Sequence, residues 1–94
     1  MKAMVLAAVR APFELREVAV PKPGPRDVLV RVRACGSGLT LHHIVSGNRA
    51  TKLPIIIGHE VLGEVVELGS EAGGVAVGDY VTFYASLFCG KCRM

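Results

Sequence analysis

Asp27-Val28-Leu29-Val30-Arg31-Val32-Arg33-Ala34 is the stretch on which the fold turns. Val28, Val30, Val32 and Ala34 fall on one side of an extended chain, and Leu29, Arg31 and Arg33 on the other. A period of two is the mark of a strand. Before it, Pro21, Pro23, Gly24 and Pro25 form a turn cluster that no helix tolerates. After it, Cys35-Gly36-Ser37-Gly38 reads as a loop. Further upstream, Met4 to Val9 is short and apolar, as expected of a strand buried on both faces, and Pro12 breaks it. Phe13-Glu14-Leu15-Arg16-Glu17-Val18 then alternates for its first four residues. Downstream, Ser37 is expected to cap a short helix from Leu39 to Val45 that ends at Gly47, with Leu41, Ile44 and Val45 on its apolar face. Val61 to Leu68, rich in valine, predicts a strand in which Gly63 admits a close neighbouring backbone. Gly69, Gly73 and Gly74 bracket a turn, and Gly78-Asp79 opens a last strand, Tyr80 to Ala85, with Tyr80, Thr82 and Tyr84 on one face. Short strands between frequent turn signals predict a mainly β fold, a barrel or a sandwich.

Ninety-four residues make at most one domain, and a domain of this size is marginal alone. Yet 51% of the chain is hydrophobic, only 20% is charged, and the mean hydropathy is +0.45. A fold this small cannot hide so much apolar surface, so part of it is expected to await a partner. The net charge is +3, but Arg26, Arg31, Arg33, Arg49, Lys52, Lys91 and Arg93 are scattered among acidic residues. Aromatics are 5% and tryptophan is absent. Nucleic-acid surfaces cluster their cations and often add stacking rings, so no nucleic-acid partner is expected. Lys2 followed by Ala3 to Val9 imitates a signal peptide, but Arg10 closes a short run and Ala11-Pro12-Phe13 is a poor cleavage region. No run is long enough to cross a membrane.

Three cysteines cannot all pair within one chain, and reduced thiols in a cytoplasmic protein are the simplest reading. Cys89-Gly90-Lys91-Cys92 has the spacing of metal ligands or of a redox pair. A redox dithiol would open a helix near a βαβ unit, and none is visible. Gly58-His59-Glu60, directly after Ile55-Ile56-Ile57, sets an imidazole beside a carboxylate between glycines. That pairing suits zinc, the carboxylate tuning or orienting the ligand; it equally suits a hydrogen-bonded histidine in a barrel wall. Cys35 reads as a small buried filler and His42 as a solvated helix residue. Gly36-Ser37-Gly38 has Leu41 where a third glycine is needed, so it is not a dinucleotide fingerprint.

Taken together, Val28-Leu29-Val30-Arg31-Val32, His43 to Gly47, Pro54 through Gly58-His59-Glu60, Gly63-Glu64-Val65, Val77-Gly78-Asp79-Tyr80-Val81 and Cys89-Gly90-Lys91-Cys92 resemble the N-terminal GroES-like domain of zinc-containing alcohol dehydrogenases, in the medium-chain dehydrogenase/reductase superfamily. The resemblance implies that residues 1–94 form one GroES-like, partly open β-barrel with one short helix, the substrate-side domain of an enzyme whose nucleotide-binding Rossmann domain is absent here. It implies zinc and NAD(P) as cofactors, with NAD(P) bound only where a Rossmann domain is supplied, and a small alcohol or aldehyde as substrate. His59 matches the histidine ligand of the catalytic zinc and Glu60 its neighbouring carboxylate. Thr40 and His43 match the hydroxyl and imidazole that relay the alcohol proton.

The departures from the family pattern fall at the metal. The position of the first catalytic cysteine is Gly38, the aspartate after the threonine is Leu41, and Cys35 matches an earlier, non-ligand cysteine. A catalytic zinc takes three protein ligands and one open position. Cys89 and Cys92 match two of the four cysteines that hold the family's structural zinc, so both zinc sites are expected to be incomplete. Three functional readings stay open: a domain of an alcohol dehydrogenase, inactive by itself; a non-catalytic GroES-like binding or assembly module that self-associates; and a truncated product of a longer gene.

Overall fold

The computed structural model describes residues 1–86 and 89–92; the cation Arg93 lies outside them. The elements in chain order are β1 (Lys2–Val5), β2 (Glu14–Glu17), β3 (Val28–Gly36), α1 (Leu39–Ser46), β4 (Glu60–Leu68) and β5 (Tyr80–Thr82). All pairing is antiparallel, in a two-stranded ribbon β1-β2 and a three-stranded sheet β3-β4-β5. The mainly β architecture with one short helix is as expected, and the sheets do not close into a complete barrel.

The first strand corrects the sequence reading. It starts and ends earlier than Met4 to Val9, and it alternates: Ala3 and Val5 are buried while Lys2 and Met4 face solvent. Only one of its faces is covered. The reason lies just beyond it. Leu6 leaves the ribbon and exchanges both backbone hydrogen bonds with Ile55, at 2.8 and 3.0 Å. Arg10 then turns the chain with φ 59°, and its N–H donates to the Val45 carbonyl at 2.7 Å. The ribbon itself is sealed at its open end by the N-terminal amine, which donates to the Val18 carbonyl at 2.7 Å.

In the larger sheet, β3 pairs with β4 along its whole length, and the register shifts between Leu29 and Val30 and again between Val32 and Ala34. Arg33 falls in the second shift, as the extra residue of a β-bulge, and its guanidinium donates to the Glu64 carboxylate at 2.8 Å. A bulge interrupts strict alternation and re-aims the side chains beyond it. Cys35 is therefore exposed rather than a buried filler. Gly63 opposes Val32, and a Cβ there would stand 2.6 Å from the Arg31 carbonyl oxygen. The close approach expected at this glycine is real.

The helix also moves its cap by one residue. Gly38, in extended conformation, occupies the N-cap and supplies no side-chain hydrogen bond, so Ser37 is not the cap. The C-terminus matches the reading: Gly47 takes φ 84° and its N–H returns to the Ile44 carbonyl. β5 is shorter than the expected Tyr80 to Ala85, because only Tyr80, Val81 and Thr82 find partners, at Glu64, Gly63 and Leu62. The buried hydrophobic residues among those described are Ala3, Val5, Leu6, Val61 and Val65, a small core for so apolar a chain.

Candidate functional site

Two short segments meet beside α1. One is the N-cap residue Gly38; the other is His59-Glu60, where the loop after Ile55 to Ile57 becomes β4. Gly36 pairs with Glu60 in the sheet, and this pairing brings the start of the helix to the imidazole. His59 is partly exposed, and its Nε2 stands 3.9 Å from Glu60 Oε1, beyond hydrogen-bonding range. A Cβ added at Gly38 would lie 3.7 Å from His59 Nε2, 3.5 Å from His59 Cε1 and 2.8 Å from Glu60 Oε1. Three chain positions thus converge on one point, and a hydrogen atom occupies the third.

This is the geometry against which zinc has to be judged. Two donors converge, an imidazole nitrogen and a carboxylate oxygen, where a catalytic zinc needs three. Among the described residues no group of three or more His, Cys, Asp or Glu side chains is placed to hold a metal. Cys35 does not fill the gap: its sulfur sits against Gly58, where an added Cβ would meet it at 2.6 Å. The donors present do not fit a catalytic zinc.

His59 lines a cleft of about 580 Å³ together with Thr40, Leu41, Ile44, Arg49, Thr51 and the Ile55 to Ile57 run. Thr40 and Arg49 also line a second recess of about 290 Å³, shared with His43 and Asn48. Thr40 therefore stands between the two, near the first turn of α1, with His43 on one side and His59 on the other. His43 Nδ1 is buried and has no hydrogen-bond partner among the described residues. The backbone around His43 is well tied, since its carbonyl accepts from Ser46 Oγ and from the Arg49 N–H, both at 3.2 Å. Sequence reasoning missed Arg49, which it counted among scattered cations. Its position two residues past the Gly47 cap was the available signal, because a chain turning back at a helix end stays beside that helix.

Glu60 stands apart from the cleft lining, beside Gly38. Cys89 and Cys92 are exposed and line neither recess. Their loop is nonetheless ordered for charge: Cys89 Sγ accepts the Lys91 N–H at 3.4 Å and the Cys92 N–H at 3.1 Å. These donors, the Lys91 amide foremost and then the Cys92 thiol and amide, pull the Cys89 thiol down from 9.0 to about 7. No helix among the described residues is long and apolar enough to cross a membrane.

Comparison with known proteins gives this arrangement a lineage. Residues 24–94 match the family described as the alcohol dehydrogenase GroES-like domain. An L-threonine 3-dehydrogenase of Pyrococcus horikoshii is 50% identical over 86 residues, covering 84% of this chain and 24% of that protein. A Sinorhizobium meliloti structure described as a zinc-binding dehydrogenase bound to NADP is 40% identical, with a TM-score of 0.87 over 97% of this chain and 26% of its own. Benzyl alcohol dehydrogenase from Acinetobacter calcoaceticus superposes with a TM-score of 0.91 at 32% identity, over 97% of this chain and 25% of its own. The chain thus spans about a quarter of the length of the relatives it matches. On the strength of that match across most of its residues, the chain belongs to the alcohol dehydrogenase GroES-like domain family.

Proposed function

We propose that residues 1–94 form the substrate-side domain of a zinc-type alcohol dehydrogenase in which Gly38 leaves one donor position of the catalytic metal centre without a side chain beside His59 and Glu60, and that these residues alone do not oxidise an alcohol. The observation that carries this reading is Gly38. Its missing side chain would lie within 4 Å of both ring atoms of His59 that face it, so the position is right for a third donor and the donor is gone. The relatives supply the chemical class: one is named for L-threonine and one for benzyl alcohol, both hydroxyl-bearing small molecules. A small alcohol or aldehyde is the substrate this implies, bound in the cleft that Thr40 and His59 share.

In this reading Thr40, a lining residue of that cleft, hydrogen-bonds the substrate hydroxyl. His43, whose Nδ1 is buried and unpartnered, is the group that takes the proton onward from it. Hydride transfer needs NAD(P), which a nucleotide-binding domain supplies; the 94 residues hold no dinucleotide fingerprint. The Cys89 and Cys92 thiols are two of the four donors that a structural zinc takes, and two are too few to hold one within a single copy. A cytoplasmic, reducing setting, without a nucleic-acid or membrane partner, agrees with three unpaired exposed cysteines and scattered cations.

The test is direct. The purified chain, supplied with NAD⁺ or NADP⁺ and with L-threonine or benzyl alcohol, is expected to show background reduction and substoichiometric zinc by elemental analysis. Turnover above background, or one tightly held zinc bonded to His59 by X-ray absorption, would overturn the reading. A second reading, a non-catalytic assembly module, is favoured by one further observation: large apolar side chains such as Val32, Leu39, Val77 and Tyr80 are exposed.

A further inference from the structure

We infer that Arg49 determines specificity, binding the carboxylate of a small hydroxy acid whose hydroxyl sits at Thr40. This assignment rests on the proposed reading of the Thr40–His59 cleft as a substrate site, and it narrows the substrate from alcohols at large to hydroxy carboxylates. Thr40 and Arg49 are the two residues that line both recesses beside α1, the larger with His59 and the smaller with His43 and Asn48. A molecule lying across the two recesses therefore meets a hydroxyl and a guanidinium together.

The charge around these recesses is one-sided. Between Asp27 and Glu60 the sequence holds no acidic residue, while it holds the four cations Arg31, Arg33, Arg49 and Lys52. That segment supplies all of the described lining except Ala85 and Ser86, and no Asp or Glu is among the described lining residues. Glu60, the next acid along the chain, stands beside Gly38 and outside the lining. A cleft lined by one sign of charge concentrates ligands of the other. Other arginines of the chain are already occupied: Arg16 is held by Glu14 and Arg33 by Glu64. Arg49 has no carboxylate partner among the described residues.

The backbone holds Arg49 in place for this task. Its N–H donates to the His43 carbonyl at 3.2 Å, and its own carbonyl accepts from Thr51 Oγ1 at 3.5 Å. The residue is thereby tied to the last turns of α1, the helix that carries Thr40 and His43. A guanidinium is a planar fork that takes a carboxylate by two parallel hydrogen bonds, and a neutral group of the same shape forfeits the charge-assisted part. Arg49 is exposed at the mouth of the recesses, so replacing it removes no core packing. Its role is selection: it decides which hydroxyl compound is held, and it takes no part in moving the proton.

Binding tests this without requiring turnover. The purified chain is titrated with β-hydroxybutyrate and with β-hydroxybutyramide, which has the same shape and no charge, while heteronuclear NMR follows the His59 ring, the Ile55 to Ile57 methyls and the Arg49 Nε–H. The acid is expected to bind about tenfold or more tighter than the amide. Arg49→Gln is expected to erase that difference and leave binding of the amide unchanged, and Arg49→Lys, which keeps the charge without the fork, is expected to restore part of it. Arg31→Gln, which removes the same charge from β3 outside both recesses, is expected to leave the preference intact. Should Arg49→Gln fail to fold, the wild-type Arg49 Nε–H is expected to shift with the acid and not with the amide. Equal binding of acid and amide, a preference that survives Arg49→Gln or is lost in Arg31→Gln, or inorganic phosphate binding at Arg49 as tightly as the acid would overturn the inference and leave the cleft as an alcohol site. No shift at the cleft with either compound would overturn the substrate-site reading, and the role of Arg49 with it.

Discussion

Gly38 is the residue at which the proposed loss of a metal donor is put to the test, because its backbone accepts a side chain. Its φ of −114° and ψ of 176° lie in extended space that any residue adopts. The nearest obstacle to a side chain is the end of Glu60, which is flexible and half-exposed. Gly38→Cys is therefore expected to fold normally and to raise zinc affinity about tenfold or more, since it adds the third donor. Competition against a zinc-binding dye measures the gain, and adding His59→Ala to the variant should abolish it. Cys89 makes a second residue-scale case. Its thiol is held at about 7 by amide donors, against an ordinary 9.0. The fold thus favours the thiolate, and the stabilisation is complete above pH 9 and lost as the pH falls through about 7. Alkylation of Cys89 by iodoacetamide should accordingly rise with a midpoint near pH 7, read by mass spectrometry of the peptide that contains it; a midpoint near 9 would show that the two N–H···S bonds do not persist in solution.

Among the elements, β3 and β4 carry the sheet, and Gly63 leaves no room for a side chain against β3. A methyl group there would press on the Arg31 carbonyl, which is backbone and cannot step aside. Gly63→Ala is expected to cost about 1–3 kcal/mol, seen as a lower urea midpoint. Gly73→Ala, with nothing within 4 Å of the added atom, should cost under about 0.5 kcal/mol. How far each element can be read from the sequence depends on how local its determinants are. Valine alternation and the Gly47 stop are local signals, and they placed β3, β4 and α1 to within a residue or two. The bulge at Arg33 is set by pairing with β4, about thirty residues on, so the exposure of Cys35 beyond it was not legible. Leu6 is taken from the first strand by a partner at Ile55, which shortened that strand for the same reason. At the site, the identities of Thr40, His43, His59 and Glu60 could be read in order along the chain. That Gly38 faces His59 at under 4 Å, while Cys35 turns to Gly58, is a fact of tertiary structure alone.

The whole molecule measures 39 × 37 × 20 Å and divides its strands between a two-stranded ribbon and a three-stranded sheet. Its buried core draws on both, through Ala3 and Val5 of β1 and Val61 and Val65 of β4. If copies associate, as the assembly reading holds, mass action makes the thermal midpoint rise with protein concentration. Calorimetry on dilute and concentrated samples is expected to show that rise under the assembly reading; a midpoint independent of concentration would count against it. One further property belongs to the molecule as a whole. The two hydrogen bonds between Leu6 and Ile55 tether the N-terminal hairpin to the wall of the cleft, four residues before His59. Leu6 is fully buried, so the joint has no slack. A substitution at Leu6 is therefore expected to be felt at the cleft wall as well as in the hairpin.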